Sequence, residues 1–375
     1  MANKKLNEQL IESIEKNNLK KVRYILRLGG EANYRKNYWP AVFYAKSDEM
    51  YDLLVEYGAK VEDSDINKVS RLGKKILAET GSPKLARRLI EMGEDVNGTS
   101  NLGWNVLVYA QNDDVADVII ENGGRIFDKY DRDAKSRDRN GGTALMQANC
   151  MRIFDMLCDM GANINATDVD GDSILHYIVR NRNIEMAKKI VKKNVDIDVK
   201  GMRGETPLMW ACMYDDLEMV SLLIENGADV NAKNRDSETV IFKAFDYKIL
   251  KKLVESGADI EAKNALSDRI LHKVIDRGDI KSFEYLIERK ADINAKNFSG
   301  FTPLMRAVIS ENEEMVRRLI ELGANVGDRN SYGYDALKLA SSEMKKVIVE
   351  ECKKKELRSG KVLTLKAMHN ALKRH

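Results

Sequence analysis

Apolar residues in this chain come in pairs of short helical bursts. In residues 204–234, Leu208, Met209, Ala211 and Cys212 make a first burst. Met219, Val220, Leu222, Leu223 and Ile224 make a second, after the polar pair Asp215 and Asp216. The spacing predicts two amphipathic helices. Thr206 caps the first, with Pro207 tolerated in its opening turn. Gly227 ends the second, where a left-handed backbone suits glycine. The run Gly-Ala-Asp-Val-Asn follows, placing Val230 inward before a turn.

That run recurs. Complete or partial copies begin at 29, 58, 93, 123, 161, 194, 227, 257, 290 and 323, in steps of 29, 35, 30, 38, 33, 33, 30, 33 and 33 residues. A period near 33 predicts stacked helix pairs, each packing only on its neighbours, so 375 residues can form one continuous domain. The 38-residue step contains a polar insertion at residues 128–140, read as a solvated loop. Four units are short: 13 residues separate the first-helix alanine from the stop glycine at 45–58, 110–123, 148–161 and 244–257, against 16 at 211–227. The expectation is a clipped turn between the two helices. Residues 62–80 form an irregular unit, and Leu6, Leu10, Ile14, Val22, Ile25 and Leu26 give the first unit a one-sided apolar face, as an end cap requires.

TPLMWA (206–211) and TPLMRA (302–307), with weaker copies such as SILHYI (173–178) and ILHKV (270–274), are similar to the ankyrin repeat. The resemblance covers residues 5–355. It implies an all-α ankyrin-repeat solenoid of about eleven helix-turn-helix units with hairpin-like loops, spanning residues 1–356; beyond it, charge and apolar spacing mark a basic amphipathic tail at 357–375. The resemblance also implies that His176 and His272 are structural residues joining loops, and that partners meet the concave face and the loop tips.

Chemistry is scarce. Cys150, Cys158, Cys212 and Cys352 form no Cys-x-x-Cys pair, which favours a reducing, cytoplasmic setting over a disulfide framework. No metal, cofactor or catalytic site is expected. The sequence DVDGD at 168–172 lacks the distal acid of a calcium loop and fits a repeat turn. Phosphate-loop and nucleophile-elbow motifs are absent. The expected function is therefore a non-enzymatic scaffold, acting as a monomer.

The position before each threonine slot holds Trp39, Trp104, Gly142, Asp172, Glu205, Glu238, Asp268, Phe301 and Tyr334, with Phe298 and Tyr332 nearby. Exposed rings there are candidate interface anchors. Asp172, Glu205, Glu238 and Asp268 would make an acid ladder that favours a basic partner. Trp210, in line with Tyr44, Tyr109 and Tyr177, is read as packing between units. Net charge is +3, yet residues 353–375 hold eight Lys/Arg and one acid. Val362, Leu365, Met368 and Leu372 could give that tail an apolar helix face. The alternative function is thus binding of an anionic surface or nucleic acid through the tail, aided by Lys135, Arg137 and Arg139. Two further alternatives are a microbial or viral effector that sequesters a host protein, and a tail docked on the acid ladder.

Overall fold

A computed structural model describes residues 2–37, 39–65, 77, 79–99, 104–126 and 141–359. The insertion at 128–140, most of the irregular unit at 62–80 and the tail helix expected at 361–373 lie outside the described residues. The chain forms two compact units, Met1–Asp196 and Ile197–His375.

In the first unit, helix pairs follow the predicted bursts: Ala2–Glu15 with Leu19–Arg27, Ala41–Tyr44 with Asp48–Glu56, Val106–Tyr109 with Asp113–Glu121, Ala144–Gln147 with Met151–Asp159, and Ile174–Arg180 with Ile184–Ile190. Pro83–Glu91 is a further second helix. A two-residue hairpin pairs Arg35–Lys36 with Trp39–Pro40. Leu10, Ile14, Val22 and Ile25 are buried, as the end-cap pattern predicts.

In the second unit the pairs are Pro207–Met213 with Leu217–Glu225, Val240–Lys243 with Tyr247–Glu255, Ile270–Arg277 with Ile280–Glu288, Pro303–Ile309 with Glu313–Leu322, and Ala336–Leu339 with Ser342–Ser359. The last helix runs through position 356, where the sequence suggested a boundary.

Thr206 caps its helix as expected, and most second helices carry caps of their own. Thr206 accepts from the Met209 amide and Asp216 from that of Met219. Asn18, Ser47, Ser82, Asn112, Asn183, Asp246, Asp279 and Asn312 cap other second helices in the same way. Met219, Val220 and Leu223 are fully buried behind them. Each such side chain contributes about 1.5–3 kcal/mol by leaving water.

The Asn that closes the repeated run staples neighbouring repeats. Asn231 Oδ1 accepts from the Asp259 amide at 2.8 Å, and its Nδ2 donates to the Gly257 carbonyl at 3.1 Å. Asn33 and Asn97 make the same two bonds onward, to Lys60 and Gly58 and to Arg125 and Gly123. Where the run ends differently, Asp198 and Glu261 accept the equivalent amides of Asp229 and Asp292.

The short units are built differently from expectation. The missing residues come out of the first helix, not the turn between helices. Ala41–Tyr44, Val106–Tyr109, Ala144–Gln147 and Val240–Lys243 have four residues each, whereas Pro207–Met213 and Pro303–Ile309 have seven. The alanines that follow, Ala45, Ala110, Ala148 and Ala244, are extended, with ψ of 127°, 131°, 123° and 109°. A one-turn helix strands its carbonyls, and the next repeat supplies donors. Arg277 donates to the Ala244 and Phe242 carbonyls at 2.7 and 3.1 Å, with its guanidinium 4.1 Å from the Phe245 ring centre. The Gly81 amide answers the Ala45 carbonyl, and Asn183 that of Asn149. Arg277→Ala is expected to cost about 1–2 kcal/mol, the value of two charge-assisted bonds discounted for exposure. It should speed amide exchange in residues 240–255 over the rest of the second unit; uniform exchange would contradict the assignment.

Candidate functional site

The loop tips of the second unit are held by a repeated device. Asn234, Asn264 and Asn330 each accept backbone N–H groups two and four residues ahead, at 2.9–3.0 Å. Asn297 accepts from Phe301 at 2.9 Å. These side chains shape the turn locally. The tips then bond to one another. The amides of Arg235, Ala265, Phe298 and Ser331 donate to the carbonyls of Arg203, Asp236, Leu266 and Ser299, at 2.9–3.0 Å. Gly300 permits this close approach: its φ is +74°, and a Cβ there would sit 2.9 Å from the Asn330 Cα and the Ser331 N.

His272 ties a tip to a helix. Its Nδ1 accepts from the Arg269 amide at 3.2 Å, which leaves Nε2 to donate to the Phe301 carbonyl at 3.2 Å. Burial holds its pKa below the ordinary value, so the ring is neutral. His176 takes the equivalent role, with Nδ1 3.1 Å from the Ser173 amide. Asp168, suggestive of a calcium loop, accepts from the Asp170 and Asp172 amides and from the Tyr177 hydroxyl at 2.7 Å, as a turn residue does.

On this ladder Phe298 is 80% exposed, Tyr332 68% and Tyr334 40%, while Leu266 from the preceding tip is 59% exposed. Phe301 is half-buried, with its ring centre 6.5 Å from that of Tyr332. The structure thus gathers four of the candidate rings at adjacent tips.

Two other candidates are packed. Trp104 is 1% exposed, a core residue of the first unit rather than an outward anchor, because a large ring gains more by leaving water than by standing at the surface. Trp39 is half-buried and meets Phe43 edge to face at 5.9 Å. Trp210 is half-buried and edge to face with Tyr214, the cap of its own helix, at 6.3 Å.

The acid ladder also needs correction. Asp172 and Glu205 are buried, and Asp268 is fully so. Lys243 Nζ lies 2.9 Å from both Glu205 and Glu238. Asp268 meets Lys273 at 3.2 Å and Arg306 at 3.4 Å, and accepts from the Asn297 amide nitrogen at 2.8 Å. Burial pushes its pKa up, but Asn297, Lys273 and Arg306 outweigh that and hold it below the ordinary value. Glu205, Glu238 and Asp268 are neutralised inside the protein, and Asp172 is buried, so the four are poorly placed to steer a basic partner. The partners that sequence reading passed over, Lys243, Lys273 and Arg306, occupy the slot of Trp210. A basic residue recurring in an otherwise bulky slot was the available signal.

In the first unit a depression of about 440 Å³ is lined by polar and apolar side chains, among them Gln111, Asn112, Asn149, Cys150, Met151 and Met186. Burial raises the Cys150 thiol to about 12, so it stays protonated near neutrality. Among the described residues no three His, Cys, Asp or Glu side chains converge as a metal would require. None of the helices described there is long and apolar enough to cross a membrane.

Stacked helix pairs joined by stapled loops define a helical-repeat protein. The family description "Ankyrin repeats (3 copies)" matches overlapping stretches at 125–201, 149–234, 175–264, 239–330 and 271–356, and the chain belongs to the ankyrin-repeat family. Ankyrin-repeat domains are protein–protein interaction modules, and the family is typically non-enzymatic. The chain is similar to Neurogenic locus notch homolog protein 1 of Homo sapiens, 31% identical over 154 residues, 39% of this chain and 6% of that protein. It is similar to the Putative ankyrin repeat protein FPV034 of Fowlpox virus, 28% identical over 117 residues, 31% of this chain and 26% of that protein. The chain thus spans a small part of either relative. Among solved structures, the ankyrin repeat domain of Bcl-3 overlays with a TM-score of 0.50 at 22% identity, covering 56% of this chain and 98% of that one.

Proposed function

We propose that this protein captures a partner protein through the loop tips of its second unit, with Phe298, Phe301, Tyr332 and Tyr334 as the contact rings. The carrying observation is the exposure of Phe298 and Tyr332, at 80% and 68%, on a backbone ladder that fixes their positions. Exposed aromatic side chains on rigid tips lose little entropy on binding and anchor interfaces well. The regular steps of the repeated run support a stack of about eleven units acting as one chain without catalysis. Four free cysteines support a cytoplasmic setting.

Proteins captured from native lysate, quantified by mass spectrometry, test this reading. A Phe298→Ala/Tyr332→Ala variant should lose specific partners by about tenfold or more. Its melting temperature should stay near wild type. Tyr24→Ala, another ring 63% exposed but in the first unit, should keep them. Unchanged capture by the double variant would refute the site.

A further inference from the structure

At the end of the second unit the pairing of charges changes. From Glu205 to Asp268 the carboxylates of the tip series face cations: Glu205 and Glu238 share Lys243, and Asp268 takes Lys273 and Arg306. In the next two loops rings stand where the carboxylates were, Phe301 and then Tyr334. The cations continue. Arg306 lies 5.7 Å from the Phe301 ring centre, though it still reaches Asp268 and, at 3.7 Å, Asp276. Lys338, one position earlier in register on the short helix Ala336–Leu339, lies 4.2 Å from the Tyr334 ring centre. It is exposed and has no ion-pair partner among the described residues. The nearby Asp335 carboxylate accepts the Lys338 backbone N–H at 2.9 Å, as the helix cap. The face of Tyr334 thus steadies an unpaired ammonium beside the exposed rings.

The backbone ladder also stops here. Arg203, Asp236, Leu266 and Ser299 each give a carbonyl to the following tip. Tyr332 is next in that register, and its carbonyl takes no backbone bond among the described residues. An open acceptor, a fixed cation and an apolar surface together suit one extended strand.

We propose that this edge binds an extended acidic and apolar peptide segment of a partner protein. The segment donates a backbone N–H to the Tyr332 carbonyl, sets a carboxylate on Lys338, and lays an aromatic or aliphatic side chain across Phe298, Phe301 and Tyr332. This rests on the tip reading above and names the chemistry of its partner. The chain's own segment beyond residue 360 suits the edge poorly, because it carries Lys361, Lys366, Lys373 and Arg374 and no acid.

The test is selection of a phage-displayed library of random dodecapeptides on the full chain and on Lys338→Glu, a change at an exposed site. Wild type should enrich peptides with Asp or Glu beside Phe, Leu or Tyr, with affinity that weakens as salt rises. Lys338→Glu should weaken the best synthetic binder about tenfold, and a Glu-to-Lys version of that peptide should regain affinity on the variant. Enrichment of basic or uncharged peptides, indifference to Lys338→Glu, or no enrichment at all would overturn the proposal. If it falls while Phe298→Ala/Tyr332→Ala still abolishes capture from lysate, the tips remain the binding surface for a different chemistry. If both fail, the tip reading fails with it.

Discussion

Trp104→Ala is expected to lower the stability of the first unit by about 3–5 kcal/mol, the range for removing a large buried ring. The indole is 1% exposed and belongs to a core that includes the fully buried Leu107, Val115 and Ile119. Those side chains come from the one-turn helix Val106–Tyr109 and its partner Asp113–Glu121, so neither short element can close the cavity by moving alone. Trp104→Phe keeps a ring in the site and should cost about 1–2 kcal/mol. Urea unfolding read by first-unit amide exchange separates the two. A stable Trp104→Ala with weakened partner capture would reverse the assignment and return Trp104 to the binding surface.

The contrast between Trp104 and Tyr332 shows what was legible in the sequence. The period, the Thr206 cap and the stop glycines were readable because each depends on local rules: Thr206 and Gly227 do in the fold what their side chains and backbone freedom dictate. Residue counting also found the four short units. It could not say which element had lost residues, because a shortened helix and a shortened turn give the same spacing. The choice depended on Arg277 and Asn183, donors one repeat further on that satisfy the stranded carbonyls. Burial at the tips was equally non-local. Trp104 and Phe301 share a slot, yet Trp104 is buried and Phe301 half-buried, a difference that the slot itself does not encode. The acids looked like surface because their cations lie in a different slot of the pattern and, for Arg306 and Asp268, 38 residues away.

Asp268→Ala is expected to cost about 3 kcal/mol, at the low end for breaking a buried ion pair. The carboxylate is fully buried, and its removal leaves Lys273, Arg306 and the Asn297 amide without their shared acceptor. The two cations are 29% and 28% exposed and can turn toward water, which keeps the loss from the upper range. Glu238→Ala should cost less, since its side chain is 24% exposed and Lys243 retains Glu205. Because the Asp268 carboxyl titrates below its ordinary value of 3.8, its contribution is complete above that pH. It is lost as pH falls from 3.8 through the lower folded-state value, where the native carboxylate takes up its proton. Urea unfolding across that range should therefore show a fall in second-unit stability that is shallower in Asp268→Asn. An equally steep fall in the variant would move the acid sensitivity to other carboxylates. If Asp268→Ala instead left stability intact while changing which peptides bind, the buried pair would be serving recognition at the adjoining Phe301 and Arg306 edge rather than holding the fold.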